Sequence, residues 1–278
     1  MKDQDCLRRF LFEDYQVRGV WLNLTTSWQE ARQYQTLAPD VIGQLGQALA
    51  GAVLLSATIK YKGSLILQCQ GSGALKTLVA QCTDDGRIRC LARAEEGVQG
   101  ESLRAMMHNG RLVITVKPDS GEPYQGVVAL DAETMADTLG VYFKNSEQLE
   151  TRLWLFANAN QVSGLLLQVL PGHGEAEDWN HVCVLADTVT EQEMMTLDSE
   201  SLLFRLFHED NVRLFDARPI RFDCGCSVQK IQSTLMALGT EELNDIIDQG
   251  ETLTTVCEFC GADYHFTPAE IEALRDKV

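Results

Sequence analysis

The chain reads as an α+β protein. It has an N-terminal mixed α/β domain with a largely antiparallel sheet over residues 1–172, an acidic helical linker over 173–223, and a small C-terminal four-cysteine domain over 224–278. Three observations predict this. Apolar residues alternate in short runs between turn residues through the first domain, which favours antiparallel strands over repeated βαβ units. Apolar residues at helical spacing among acids follow. Cys224-Gly225-Cys226 and Cys257-Glu258-Phe259-Cys260 then bracket the thirty residues 227 to 256, so two thiol pairs on separate turns can surround one ion.

The first strand begins with Val17, Val20, Leu22 and Leu24. Ala38-Pro39-Asp40 opens a helix, with proline in the first turn where its missing N–H has no intrahelical partner to lose, and Leu45, Leu49 and Val53 continue it. Alternation at 64–70, 75–82 and 88–93 predicts three strands, the last two joined at Asp84-Asp85-Gly86. Gly71-Ser72-Gly73 reads as a turn. A hairpin is expected at 112–117 and 124–130 around Pro118-Asp119-Ser120-Gly121-Glu122. A helix at 133–143 and strands at 151–157 and 162–170 complete the domain, and Pro171-Gly172-His173-Gly174 ends it.

In the linker, Met194, Met195, Leu197, Leu202, Leu203, Leu206 and Phe207 alternate with Glu191, Glu193, Asp198, Glu200, Glu209 and Asp210. This is too apolar for a disordered tether and too acidic for a comfortable core, so it predicts metastable helices docked on another surface. In the last domain, Thr240-Glu241-Glu242-Leu243 reads as a helix start, and Thr267-Pro268-Ala269-Glu270 supplies an N-cap, a first-turn proline and an early acid. Its available core is Leu253, Phe259, Tyr264, Phe266, Ile271 and Leu274. That is thin, so a metal must help the domain to fold. A structural zinc ion contributes on the order of 10–16 kcal/mol to such a module.

Composition excludes several function classes. The net charge of −17 is uneven: residues 1–172 hold 16 Lys+Arg and 18 Asp+Glu, and residues 173–278 hold 7 and 22, giving −2 and −15. A nucleic-acid surface needs clustered cations, so the cysteine-bearing third has the wrong sign. The N-terminus lacks the apolar run of a signal peptide. Val41–Ile59, interrupted by Gln44 and Gln47, falls short of the roughly 20 apolar residues that span a bilayer. A buried core helix and a cytoplasmic, soluble protein with no membrane partner are expected. Nine cysteines in a reducing compartment point to thiols and metal rather than structural disulfides.

Cys224, Cys226, Cys257 and Cys260 are the candidate zinc ligands, with one ion expected. Four sulfurs close the shell, leaving no position for water, so hydrolytic zinc chemistry is not expected. Thiolates are also the oxidisable form of cysteine, so an all-sulfur site is a potential redox sensor. His265 follows the second pair closely and is an alternative ligand. Cys69, Cys82 and Cys90 fall in apolar strand patterns and read as buried core thiols. Cys6 and Cys183 are scattered and unpaired in sequence. His108, His173, His181 and His208 read as surface or loop residues and form no triad. There is no P-loop, no G-x-G-x-x-G after a strand and no G-x-S-x-G, so no catalytic residue, no nucleotide cofactor and no ATP dependence are expected.

Taken together, the motifs Cys224-Gly225-Cys226-Ser227, Cys257-Glu258-Phe259-Cys260-Gly261, Tyr124-Gln125-Gly126-Val127-Val128, Tyr142-Phe143 with Ser146-Glu147-Gln148-Leu149, and Leu165-Leu166-Leu167-Gln168-Val169-Leu170-Pro171 resemble those of the redox-regulated 33 kDa heat-shock chaperonins of bacteria. One departure is Val228-Gln229, where that family commonly carries charge; it leaves the ligands intact but bears on thiolate reactivity. The resemblance implies an ATP-independent holdase, inactive when reduced with zinc on Cys224, Cys226, Cys257 and Cys260. It implies that oxidation forms disulfides Cys224–Cys226 and Cys257–Cys260, releases the zinc, unfolds the C-terminal domain and linker, and exposes apolar surface to unfolding client proteins. It further implies a homodimer when active and no enzymatic activity. Three rivals stay open: a nucleic-acid-binding zinc ribbon, a thiol oxidoreductase, and a zinc-ribbon interaction module whose zinc is purely structural.

Overall fold

A computed structural model describes residues 3–100, 102–171 and 176–277. The chain divides into two compact units, Met1–Asp223 and Cys224–Val278. Gly172, His173 and Gly174, on which the expected end of the first domain turns, lie outside the described residues.

The first unit runs β1 (Cys6–Phe12), β2 (Val17–Leu24), α1 (Thr26–Arg32), α2 (Pro39–Ser56), β3 (Gly63–Gln70), β4 (Leu75–Thr83), β5 (Arg87–Ala94), α3 (Leu103–Met107), β6 (Arg111–Pro118), β7 (Tyr124–Ala129), α4 (Met135–Tyr142), β8 (Thr151–Ala157) and β9 (Val162–Val169). It continues through α5 (Ala176–Ala186), α6 (Glu191–Thr196), α7 (Ser199–Phe207), β10 (Val212–Leu214), β11 (Arg218–Pro219) and β12 (Arg221–Phe222). One sheet has the order β10-β1-β2-β9-β8, with β11 also on β1, and the other the order β12-β5-β4-β3-β6-β7. Every strand pair is antiparallel except β12 with β5. The fold is therefore α+β with mostly antiparallel sheets.

The apolar run Val41–Ile59 forms the buried helix α2, which packs against strands of both sheets and centres the larger core. Its small residues let the strands approach. A Cβ at Gly46 would lie 2.5 Å from Ala157 Cβ, so glycine is needed at that crossing. The expected helix at 133–143 starts later, at Met135, because the Thr134 side chain caps it by accepting from the Asp137 N–H. It ends in a π turn, Phe143–Glu147, closed by Gln148 in the left-handed region at φ 54°.

A second, smaller core explains the acidic segment. Phe10, Phe12, Trp21, Leu165 and Leu167 on one sheet face pack against Val182, Met194, Leu202, Leu206 and Phe207 of α5 to α7. Phe12 and Phe207 meet edge to face, with ring centroids 4.9 Å apart. The acids sit at helix ends or in solvent. Glu193 closes a capping box with Thr190, Asp198 caps α7, and the buried Asp3 accepts from the Ser199 N–H at 3.1 Å and its hydroxyl at 2.6 Å. Asp210 accepts from the Tyr15 hydroxyl at 3.0 Å and lies 3.0 Å from His181 Nε2, tying the β1–β2 turn to α5.

The second unit comprises α8 (Val228–Met236), α9 (Thr240–Asp248), the hairpin of β13 (Leu253–Val256) and β14 (Asp263–Phe266), and α10 (Pro268–Arg275). Its fully buried core is five side chains: Leu235, Leu243, Phe266, Ile271 and Leu274. Phe259, expected in that core, is only half-buried and outside the cluster, and Leu235 from α8 is inside it. Phe259 sits in the turn between Cys257 and Cys260, away from the cluster built by α8, α9, α10 and β14.

Phe207→Ala should cost about 3–5 kcal/mol of the reduced protein's stability in urea unfolding, because a large ring leaves a packed site. Limited proteolysis should cut first within 176–207, and unchanged cleavage there would show that Phe207 does not hold these helices down.

Candidate metal centre

The first cysteine pair is positioned by a tight turn. Gly225 adopts φ 58°, a conformation that only glycine takes without strain, and this turns Cys224 and Cys226 to one side. Ser227 then caps α8, its hydroxyl accepting the Lys230 N–H at 3.3 Å, so the chain leaves the pair as a helix. The second pair occupies the turn between β13 and β14. The Gly261 N–H donates to Cys257 O at 2.7 Å, the Cys260 N–H to the same oxygen at 3.2 Å, and the Cys257 N–H to Ala262 O at 2.9 Å. These bonds fold C-E-F-C back on itself.

The two turns bring all four sulfurs within 4.8 Å of one another. Cys224 Sγ lies 3.5 Å from Cys257 Sγ, and Cys226 Sγ lies 3.4 Å from Cys260 Sγ. A tetrahedral ion with sulfur ligands at about 2.3 Å needs edges of about 3.8 Å, so the spacing fits one shell. The electrostatics point the same way. Burial pushes the Cys224 thiol up, reinforced by its contact with Cys257, and burial likewise raises Cys260. Burial raises Cys226 too, but hydrogen bonding from Tyr264 and the neighbouring thiols outweighs it and holds Cys226 below the usual thiol range. One thiolate formed at the expense of its neighbours is what four crowded thiols do without a cation. A soft divalent ion removes that conflict, and the four cysteines can hold a metal ion.

Among the described residues, these four form the only group of three or more His, Cys, Asp or Glu side chains suited to a metal. His265, the alternative ligand, faces outward with Nδ1 3.1 Å from the Thr254 hydroxyl, because the alternation of β14 turns Tyr264 and Phe266 inward instead. Cys6, Cys69, Cys82, Cys90 and Cys183 are all buried. Burial alone pushes Cys69 and Cys90 up to about 12, and burial is the main cause that raises Cys82 to about 11. These are inert core thiols. His108 and His208 are exposed, and His181 lies on α5 against Asp210. No described helix is long and apolar enough to cross a membrane. The Tyr264 hydroxyl at Cys226 was not foreseen; its signal is a tyrosine four residues after Cys260 on an alternating strand.

A family model described as Hsp33 protein matches residues 5–267. The chain is 46% identical over 275 residues to a 33 kDa chaperonin of Nitrosococcus oceani, covering 99% of this chain and 95% of that one. It is 42% identical over 280 residues to a 33 kDa chaperonin of Methylobacillus flagellatus, with the same coverage of 99% and 95%. The crystal structure of a Thermotoga maritima 33 kDa chaperonin superposes with a TM-score of 0.82 at 21% identity over 98% of both chains, which shows a shared fold. The similarity expected from separate motifs thus extends over nearly the whole chain.

Two outcomes follow for the thiols. At pH 8, iodoacetamide should leave Cys69, Cys82 and Cys90 unmodified in the folded reduced protein, because the buried thiols hold on the order of 0.1% thiolate or less. Mass spectrometry of the alkylated peptides reads this directly. Removing metal with a strong chelator should unfold the second unit, seen as a loss of helical circular dichroism confined to α8, α9 and α10. An unchanged spectrum after verified metal removal would show that the five-residue core suffices.

Proposed function

The chain belongs to the Hsp33 family, and on that premise we propose that it is a redox-regulated, ATP-independent holdase whose switch is the four-cysteine centre. The single observation that carries this is the joining of four sulfurs within 4.8 Å in a unit with only five fully buried core side chains. A unit so built depends on its sulfurs, and sulfurs can be oxidised.

In the reduced state Cys224, Cys226, Cys257 and Cys260 hold one zinc ion, whose charge lets four thiolates share a site and staples the start of α8 to the β13–β14 turn. An oxidant of the peroxide class converts the four thiolates to two disulfides. Each close pair, Cys224 with Cys226 and Cys257 with Cys260, gives up two electrons and forms one S–S bond while the peroxide is reduced to water. Disulfide sulfurs are poor ligands, so the centre no longer forms and the second unit loses its fold. The pairing follows the family resemblance. The reduced sulfur contacts run between the pairs, at 3.5 and 3.4 Å, so peptide mapping of the oxidised protein distinguishes the two arrangements.

The segment 173–223 is the metastable linker of this reading. Its helices cover Phe10, Phe12, Trp21, Leu165 and Leu167, and their release would expose that face together with Leu202, Leu206 and Phe207. Unfolding proteins bind exposed apolar surface rather than a catalytic group, so the activity needs no turnover. The first 172 residues then carry client binding and dimerisation. The active form is a cytoplasmic homodimer, and neither nucleic acid nor membrane is a partner; the −15 on residues 173–278 supports the first exclusion.

Light scattering of a heat-unfolding client should show suppression by peroxide-treated protein and little by reduced protein, with metal release followed by a chromogenic chelator. Equal suppression by both forms would reject the switch and favour a purely structural metal. Cys260→Ser should lower zinc affinity at least tenfold and leave suppression weakly dependent on oxidant; stoichiometric zinc with intact switching would overturn the ligand assignment.

A further inference from the structure

Two helices of this chain start with a capping box, and α8 starts differently. In α6 and α10 the residue three past the cap is glutamate, and each closes a capping box: Thr190 with Glu193, Thr267 with Glu270. In α8 the cap is Ser227 and the equivalent position is Lys230. A cation in the first turn opposes the helix dipole, and no acid in that turn offsets it.

The Lys230 ammonium donates to the carbonyl of Gly225, the residue between Cys224 and Cys226. That carbonyl lies in the turn between the two cysteines, so the ammonium is bonded to the backbone that carries them. A divalent ion with four thiolates keeps two negative charges, and such a shell is stabilised by a nearby cation. Cations are scarce in this unit. Residues 224–278 hold three basic residues, Lys230, Arg275 and Lys277, against ten acidic ones, a net −7. Arg275 is engaged by Asn244 and Asp276.

We propose that Lys230 is a positioning residue of the four-sulfur centre, pinning the C-G-C turn through the Gly225 carbonyl and setting a fixed positive charge beside the thiolates. This rests on the four cysteines being metal ligands. Val228 and Gln229, between the cap and the lysine, carry no charge, so Lys230 is the first charged residue after the C-G-C turn. The position trades helix capping for stability of the metal shell, so the two effects of a substitution there have opposite signs.

The test uses full-length reduced protein loaded with zinc, and reads zinc transfer to a chromogenic chelator. K230E restores a Ser-x-x-Glu capping box, which strengthens the helix start. It should nonetheless weaken zinc retention about tenfold, while K230Q weakens it about threefold and K230R stays within about twofold of the parent. Raising salt to about 0.5 M should narrow the gap between the parent and K230Q, since the charge effect is screened. Circular dichroism of the zinc-loaded variants confirms that each folds. Equal or tighter retention by K230E, or a K230Q defect that salt does not alter, would overturn the charge role. Absence of stoichiometric zinc in the parent would instead overturn the ligand assignment on which the proposal stands, so the two failures are separable.

Discussion

The contact of four sulfur atoms is the constraint on which the C-terminal unit depends. Fifty-odd residues with five fully buried side chains do not bury enough apolar surface to offset the chain entropy of folding. The sulfurs cannot repair this by packing alone. Four thiols within 4.8 Å of one another resist joint ionisation, because each thiolate repels the next. A cation would make four thiolates compatible, and on the proposed reading the atoms that then stabilise the fold are also the ones open to oxidation. Stability and sensitivity reside in one shell.

The first unit is built on the opposite principle. Its main core runs through α2 and both sheets, and small residues such as Gly46 bring the layers into close contact. Against this stands the second core beneath α5 to α7, where one sheet face meets short helices of six to eleven residues. Short helices have little stability of their own, so these depend on Phe207, Leu202 and Met194 and on caps supplied by acids. On the proposed reading such a cover would detach at a smaller cost than the sheet beneath it unfolds.

Much of this was legible in the chain. Period-two alternation located strands such as β3 and β4, whose faces differ in burial, while β2 and β9, buried on both faces, showed as apolar runs, and Pro39 and Thr267-Pro268 marked two helix starts through chemistry that acts within one turn. What escaped did so for physical reasons. In β1, Arg8 and Arg9 interrupt the alternation, since Arg8 is turned toward Asp3 and Glu200 instead of open solvent. The strands β10 to β12 have three, two and two residues, too short for any period to emerge, and they pair only because distant partners are already in place. Helix α8 mixes Val228, Ile231 and Thr234 with glutamines and shows little helical preference; its cap and its packed Leu235 carry it. The clustering of the four cysteines was visible because their spacing encodes it. The hydroxyl of Tyr264 at Cys226 was not, because a hydrogen bond from β14 to a turn 38 residues earlier leaves no mark on composition.

The acids deserve a single explanation, because they look misplaced in a segment that packs against a sheet. Asp198, Glu193 and Asp3 satisfy helix N–H groups and offset the dipole while the helices are docked. If the helices leave, those carboxylates lose their partners and return to water, where their hydration is favourable. The apolar side chains of the same segment lose only burial. An open segment of this composition therefore presents Leu, Met and Phe between solvated charges, which hinders its collapse onto itself and leaves the apolar groups available to another chain. On the proposed reading, acids that cap the docked helices would also keep an opened segment solvated.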